Sequence, residues 1–172
     1  MGHRAVSQVT LRPLRRGDRA AVRQLVQLYI YDLGGERWDV NHDGTFGSRD
    51  WHERFWARRG HHHFVILVAG RLAGFALVSE RAHFAGPGVQ EISEFFVLRR
   101  YRNRGVGSRA AREIFARFPG PWELAELTWN VGARRFWRRL IQRCAVGPVV
   151  EHRRRHGDLA FFVQHFATGM KR

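Results

Sequence analysis

The chain has 172 residues, 44% of them hydrophobic, which suits one domain with a sizeable core and is too short for two ordinary ones. Thirty Lys+Arg against fifteen Asp+Glu leave a formal charge of +15, which excludes an acidic disordered chain and favours an anionic ligand or partner. Lys171 is the only lysine, so the charge is arginine spread along the chain, a pattern that GC-rich coding produces as readily as nucleic-acid binding does. Cys144 stands alone, so no intramolecular disulfide can form. Met1 to Gln8 has no apolar leader, and the longest apolar run, Phe64 to Ala69, falls far short of the roughly 20 residues of a membrane span. The expectation is one cytoplasmic domain over residues 1–172, off the membrane, as a monomer or homodimer.

In chain order, Val6 to Leu11 reads as a short strand closed by Pro13, and Asp18 as the N-cap of a helix whose apolar face is Val22, Leu25, Val26, Tyr29 and Leu33. Gly34-Gly35 ends that helix. Residues 36 to 47 form a loop, and a shorter helix runs from about Arg49 to Arg58. His63 to Val68 and Leu72 to Ser79 are strands at hairpin spacing around Ala69-Gly70-Arg71. Val89 to Arg99 follows the Gly86-Pro87-Gly88 turn as another strand, and Gly105 to Phe118 is a helix stopped by Pro119-Gly120-Pro121. Trp122 to Trp129 is a strand, and Ala133, Phe136, Trp137, Leu140 and Ile141 mark a helix. Val146 to Glu151 and Leu159 to Phe166 close the chain as strands joined by a basic turn at Arg153, Arg154 and Arg155. This order argues a mixed α/β or α+β sheet with helices on its faces.

The segment from Glu91 to Arg117 carries the chemistry. A Phe- and Val-rich strand passes through a basic glycine turn directly into a helix, and unpaired N–H groups at a helix start attract phosphate. Gly105 and Gly107 let the main chain approach the anion, and Arg102 and Arg104 add charge. The spacing is neither a dinucleotide fingerprint nor a P-loop.

Arg102-Asn103-Arg104-Gly105-Val106-Gly107, preceded by Phe95-Phe96-Val97-Leu98, resembles the acetyl-coenzyme A motif of the GNAT superfamily of N-acyltransferases. Asn130, followed by Ala133, Phe136 and Trp137, matches the family's next strand end and helix. The resemblance implies a mostly antiparallel central sheet of six to seven strands with about four helices on its faces. It implies acetyl-coenzyme A as cofactor, with the amides from Asn103 to Ser108 on the pyrophosphate, the Phe96 and Val97 backbone on the pantetheine arm, and Asn130 hydrogen-bonded to it. The strands of Val97 and Trp129 would part to admit the thioester, an amine would attack the acetyl carbonyl directly, and N–H groups near Val97 would stabilise the oxyanion.

The chain departs from the family at Trp137, where a tyrosine often protonates the leaving thiolate; an indole N–H is far too weak an acid. Glu94, and after it Glu91, are the candidate bases. Period-two alternation puts them on opposite faces unless a bulge intervenes, leaving one for the acceptor.

In this family the acceptor pocket is walled by the N-terminal helix-loop-helix. Here that region holds Asp32, Glu36, Asp39, Asp43, Asp50 and Glu53 against Arg37 and Arg49, interleaved with Tyr29, Tyr31, Trp38 and Phe46. A small cationic amine acceptor fits this composition, with aromatic rings available to an ammonium group; a solvated acidic loop over an aromatic core is the other reading. Asp39-x-Asn41-x-Asp43-Gly44, with Asp50 at the twelfth place, also follows a calcium-loop pattern, although an Asx turn accounts for it and no metal is expected. The strand-borne His61, His62 and His63 alternate faces and make no common ligand set. The alternative function is a non-catalytic acyl-coenzyme A sensor or nucleic-acid-binding module on the same fold.

Overall fold

The computed structural model describes residues 8–56 and 60–169. Val6 and Ser7 of the expected first strand, Ala57 and Arg58 of the expected second helix and the side chain of Asp50 lie outside the described residues.

Among the described residues, seven strands form one sheet in the order β1-β2-β3-β4-β5-β7-β6. They are β1 Val9–Pro13, β2 His61–Val68, β3 Arg71–Ala82, β4 Gly86–Val97, β5 Gly120–Leu127, β6 Val150–His156 and β7 Leu159–Thr168. Every neighbouring pair is antiparallel except β4 and β5, which are parallel. The helices are α1 Arg19–Gly34, α2 Arg49–Trp56, α3 Val106–Arg117 and α4 Val131–Cys144. No helix among the described residues is long and apolar enough to cross a membrane.

The sheet separates two cores. On one face α1 and α2 bring Val22, Val26, Ile30 and Phe55 against Val65, Phe75, Leu77 and Phe96. On the other, α3 and α4 bring Ala110, Ile114, Phe115, Trp137 and Ile141 against Ile66, Ile92, Val97, Trp122 and Leu124. Alternation along each strand sorts these residues to opposite faces.

Three local expectations change. Arg153, Arg154 and Arg155 lie within β6, and Gly157-Asp158 makes the turn, with Gly157 at positive φ. β6 is an edge strand exposed along nearly all its length, so its sequence lacks apolar alternation. Asp18 is not a side-chain cap of α1; its carboxylate takes both Arg12 nitrogens, at 2.7 and 2.9 Å, and the Arg15 N–H at 2.7 Å. These partners hold its pKa down at about 2. The β2–β3 turn is the two residues Ala69 and Gly70, both at positive φ, as a hairpin matched to strand twist requires.

Two features of the sheet position the site. β4 and β5 pair only at Gln90 with Trp122 and Glu91 with Glu123, and part beyond them. β3 and β4 stay close because Gly74 lies opposite Val97; a Cβ there would stand 2.0 Å from the Phe96 carbonyl oxygen. The Gly74→Ala variant is expected to lose about 2–3 kcal/mol of stability, read as a lower denaturant midpoint.

Beneath α4, Glu126 is buried with both carboxylate oxygens lacking a hydrogen-bond partner among the described residues, and burial raises its pKa to about 8. Arg134 and Arg138 turn instead to Glu151. A folded-state pKa above the unfolded one means the native chain binds the extra proton, so this group's contribution is present below about pH 4.5 and lost as pH rises through about 8. Glu126→Gln, which cannot ionise, should therefore gain stability relative to the unaltered protein as pH rises from about 4.5 to about 8, by up to about 1.4 kcal/mol per pH unit, and keep a constant difference above that, in paired denaturation curves.

Candidate active site

The parting of β4 from β5 opens a cleft of about 610 Å3 lined by Phe96, Val97, Arg102, Asn103, Gly105, Gly107, Ser108, Asn130, Phe136 and Trp137. These are the residues the sequence assigned to a cofactor, gathered from β4, the turn after it, and α3 and α4. Arg104 is exposed outside the lining, and Val106 is buried in the core beneath it. A larger groove, of about 970 Å3, lies between α1, α2 and their connecting loop and shares no residue with the cleft.

At the mouth of the cleft the chain turns through Asn103 and Gly105, both at positive φ, and enters α3. The first helical bond of this turn runs from the Arg109 N–H to the Gly105 carbonyl, so the amides of Val106, Gly107 and Ser108 precede the intrahelical ladder. Such amides and the helix dipole form an anion cradle. A Cβ at Gly107 would meet the Phe136 ring at 3.4 Å and narrow the approach. The open amides, the glycine and the cleft together suit a phosphate-bearing ligand with an extended arm.

Arg102 is committed elsewhere. Its Nε donates to the Val97 carbonyl at 2.7 Å and its Nη2 to Asp32 at 2.5 Å, while Arg99 also bonds Asp32. Asp32, expected at the acceptor, thus ties α1 to the cofactor turn, and the two guanidiniums keep its pKa low against the opposing effect of burial. Successive peptide groups point to opposite strand edges. The Phe96 carbonyl faces Gly74 of β3, so Phe95 and Val97 present their peptide groups to the split; the Phe96 backbone is turned away from the position the resemblance implied.

Behind the cleft the sheet settles the question of the two carboxylates. The β3–β4 register shifts between Leu77 opposite Glu94 and Val78 opposite Ile92, leaving Ser93 as the extra residue of a bulge. The bulge restores parity. Ile92 and Phe95 point toward α3 and α4, while Glu91, Glu94 and Phe96 share the α1–α2 face. Both glutamates therefore face the same side. Tyr29 and Trp51 are the hydrogen-bonding neighbours of Glu94, and burial lifts its pKa to about 7. Glu91 is raised to about 8 by burial and then by Glu123. Glu123 is itself wholly buried, accepting the Phe84 and Ala85 N–H groups at 2.9 and 2.8 Å and paired with His165 at 2.9 Å.

The candidate acceptor residues divide. Tyr29 lines the cleft, with its ring centroid 5.7 Å from those of Phe75 and Phe96. Tyr31 is exposed and packs on Phe46, and Trp38 covers Gly34 and meets Trp129 edge-on at 6.2 Å; these three lie outside the cleft lining. In the loop before α2, the Asp43 carboxylate accepts the Thr45 N–H at 3.0 Å and hydroxyl at 2.6 Å, an Asx turn. Leu33 and Arg139 also line the cleft, unforeseen. Leu33 is one turn from Tyr29, and Arg139 follows Gly132 and Phe136 at helical spacing, so one face of each helix was the available signal.

A phosphate cradle at the start of α3, beside a parallel strand pair that parts to take an extended arm, defines a coenzyme A-dependent acyltransferase architecture. The acetyltransferase (GNAT) family matches residues 28–140, and the chain belongs to that family. It is an acetyl-coenzyme A-dependent acetyltransferase. Solved structures with this fold include a GNAT-family acetyltransferase from Streptococcus pneumoniae, 15% identical with a TM-score of 0.58 over 94% of this chain and 100% of that one. An acetyltransferase from Thermus thermophilus is 15% identical, TM-score 0.62, over 94% and 98%. Spermidine N-acetyltransferase from Vibrio cholerae, in complex with coenzyme A and spermine, is 13% identical, TM-score 0.62, over 94% and 96%. No curated protein sequence matches the chain.

Asn130 separates local stability from ligand binding. Its Oδ1 accepts the Ala133 N–H at 3.1 Å, capping α4 at the cleft wall. Asn130→Ala is expected to cost about 1 kcal/mol of stability. Asn130→Asp keeps a capping oxygen but adds negative charge to the cleft, so it should retain stability and bind coenzyme A more weakly, as calorimetry would show.

Proposed function

We propose that the chain is an N-acetyltransferase for a small cationic amine, working by direct attack in a ternary complex. The observation that carries this reading is a single cleft joining the α3 cradle to Tyr29, with Glu94 beside Tyr29 on the acceptor face. Acetyl-coenzyme A, when bound, supplies the acetyl thioester. The amides from Asn103 to Ser108 would hold its pyrophosphate, and the peptide edge at Phe95 and Val97 would align its arm. The Val97 N–H, on the strand edge that faces the split, would donate to the acetyl oxygen and stabilise charge developing there.

Glu94 takes the proton from the attacking nitrogen. Its pKa of about 7 sets it between a strong and a weak base near neutrality, where general-base catalysis is most effective. Glu91, next along the bulged face, is the second candidate. Carboxylates with Tyr29 and Trp51 alongside suit an ammonium-bearing acceptor, and this is the side of the fold on which cationic character matters. The spermine-bound Vibrio cholerae enzyme shares the fold and gives this acceptor class a precedent.

Release of coenzyme A with a panel of amines tests the assignment: cationic amines should turn over, and turnover confined to acidic or neutral amines would overturn it. With an active amine, kcat/KM should rise with pH through about 7 as Glu94 loses its proton. Glu94→Gln should lower kcat/KM by about a hundredfold or more and abolish that limb; an unchanged profile would remove Glu94 from the mechanism.

A further inference from the structure

Trp137 leaves the departing thiolate without the acid that the family often places on this helix. It is buried against Phe95 and Phe136, and its indole cannot give up a proton. Tyr29 reaches the same cleft from the opposite wall. It comes from α1, lines the cleft together with Phe95 and Val97, and is fixed edge-on against Phe75. Its hydroxyl has Glu94 as hydrogen-bonding neighbour. One phenol therefore touches both the cleft and the residue assigned as base.

We infer that Tyr29 is a catalytic residue of this reaction, carrying the proton that Glu94 takes from the amine to the leaving sulfur. The inference rests on the acetyltransferase reading above. In the step, the amine lone pair forms the N–C bond and the C–S bond breaks with its electron pair going to sulfur. Glu94 receives the proton from nitrogen, Tyr29 gives its hydroxyl proton to sulfur, and Glu94 returns its proton to the Tyr29 oxygen. The products are an amide and a thiol, and both side chains end as they began.

The relay also resolves an energetic mismatch. Burial, and then the Glu94 charge, keep the phenol protonated well above the ordinary tyrosine range, so alone it would be a reluctant acid. Coupled to Glu94, the proton passes from a carboxyl group to a thiolate, which is favourable. The other groups around the pair are consistent with this. Glu91 lies on the same strand, Asp32 and Arg102 lie at the cleft mouth, α2 contributes the Trp51 indole and β3 the apolar Phe75.

Acetyl-coenzyme A and its selenium analogue, acetyl-seleno-coenzyme A, distinguish this role from packing, because a selenolate leaves without protonation. Tyr29→Phe should lower kcat on the thioester by about a hundredfold and leave the selenoester within a few-fold, whereas Glu94→Gln should lose rate on both. A binding readout accompanies it. Free coenzyme A bound to the unaltered protein should ionise at its thiol about one pH unit lower than when bound to Tyr29→Phe, followed by thiolate absorbance, because the phenol donates to the thiolate. Should Tyr29→Phe fail to fold, a ring-fluorinated tyrosine at position 29, with a more acidic hydroxyl, should lower that ionisation further. Equal losses of Tyr29→Phe on the two esters, or a thiol ionisation that neither change moves, would overturn the role of Tyr29 alone. No turnover by the unaltered protein with any amine would overturn the acetyltransferase reading and this inference with it.

Discussion

The constraint on which the rest depends is the incomplete pairing of β4 with β5. Two residue pairs hold these strands together at one end, and beyond Glu91 and Glu123 the ladder stops. A sheet interior left with open peptide groups is costly unless something occupies it. The fold spends that cost on a slot lined by Phe95 and Val97 from β4 and roofed by Phe136 and Trp137 from α4. β3 must then hold β4 in place unaided, which explains the close contact that Gly74 permits. The buried Glu123 works at the same hinge point, fastening the β3–β4 turn to β5 just where pairing ends.

The bulge at Ser93 is the second device, and it converts a strand into an active-site wall. Without it, Glu91 and Glu94 would fall on different faces, one of them among Ile92, Val97 and Trp122. With it, two raised-pKa carboxyls and Phe96 share the α1–α2 face, while Phe95 still packs against α4. One extra residue thus lets a single strand serve the cofactor on one side and the proton chemistry on the other.

Much of this is legible in the sequence alone. Period and punctuation marked the four α-helices and every strand but β6, because long buried elements such as α3 and α4 carry clean apolar stripes. The cradle was legible because glycine at positions 105 and 107 next to a helix start has few other uses. What escaped depends on partners distant in sequence. The arginines of β6 looked like a turn because an edge strand exposed on both faces needs no alternation. Asp32 lines the cleft beside Tyr29, but nothing local reveals that Arg99 and Arg102, some seventy residues on, also bond it. The bulge was foreseen only as a condition, since register is a property of two strands and not of one.

The bonds of Arg102 have a consequence for how the coenzyme is captured. With Nε on the Val97 carbonyl and Nη2 on Asp32, which Arg99 also bonds, this guanidinium is held in place to brace the turn. On the proposed reading, recognition of the phosphates then rests in part on the neutral backbone amides at the start of α3, beside the Arg139 side chain that lines the cleft. Affinity that depends on dipoles releases few counterions, so it weakens little as ionic strength rises. On the proposed reading, an arginine-rich chain of +15 takes part of its hold on the coenzyme from fixed dipoles rather than from the surface charge that draws any polyanion toward it.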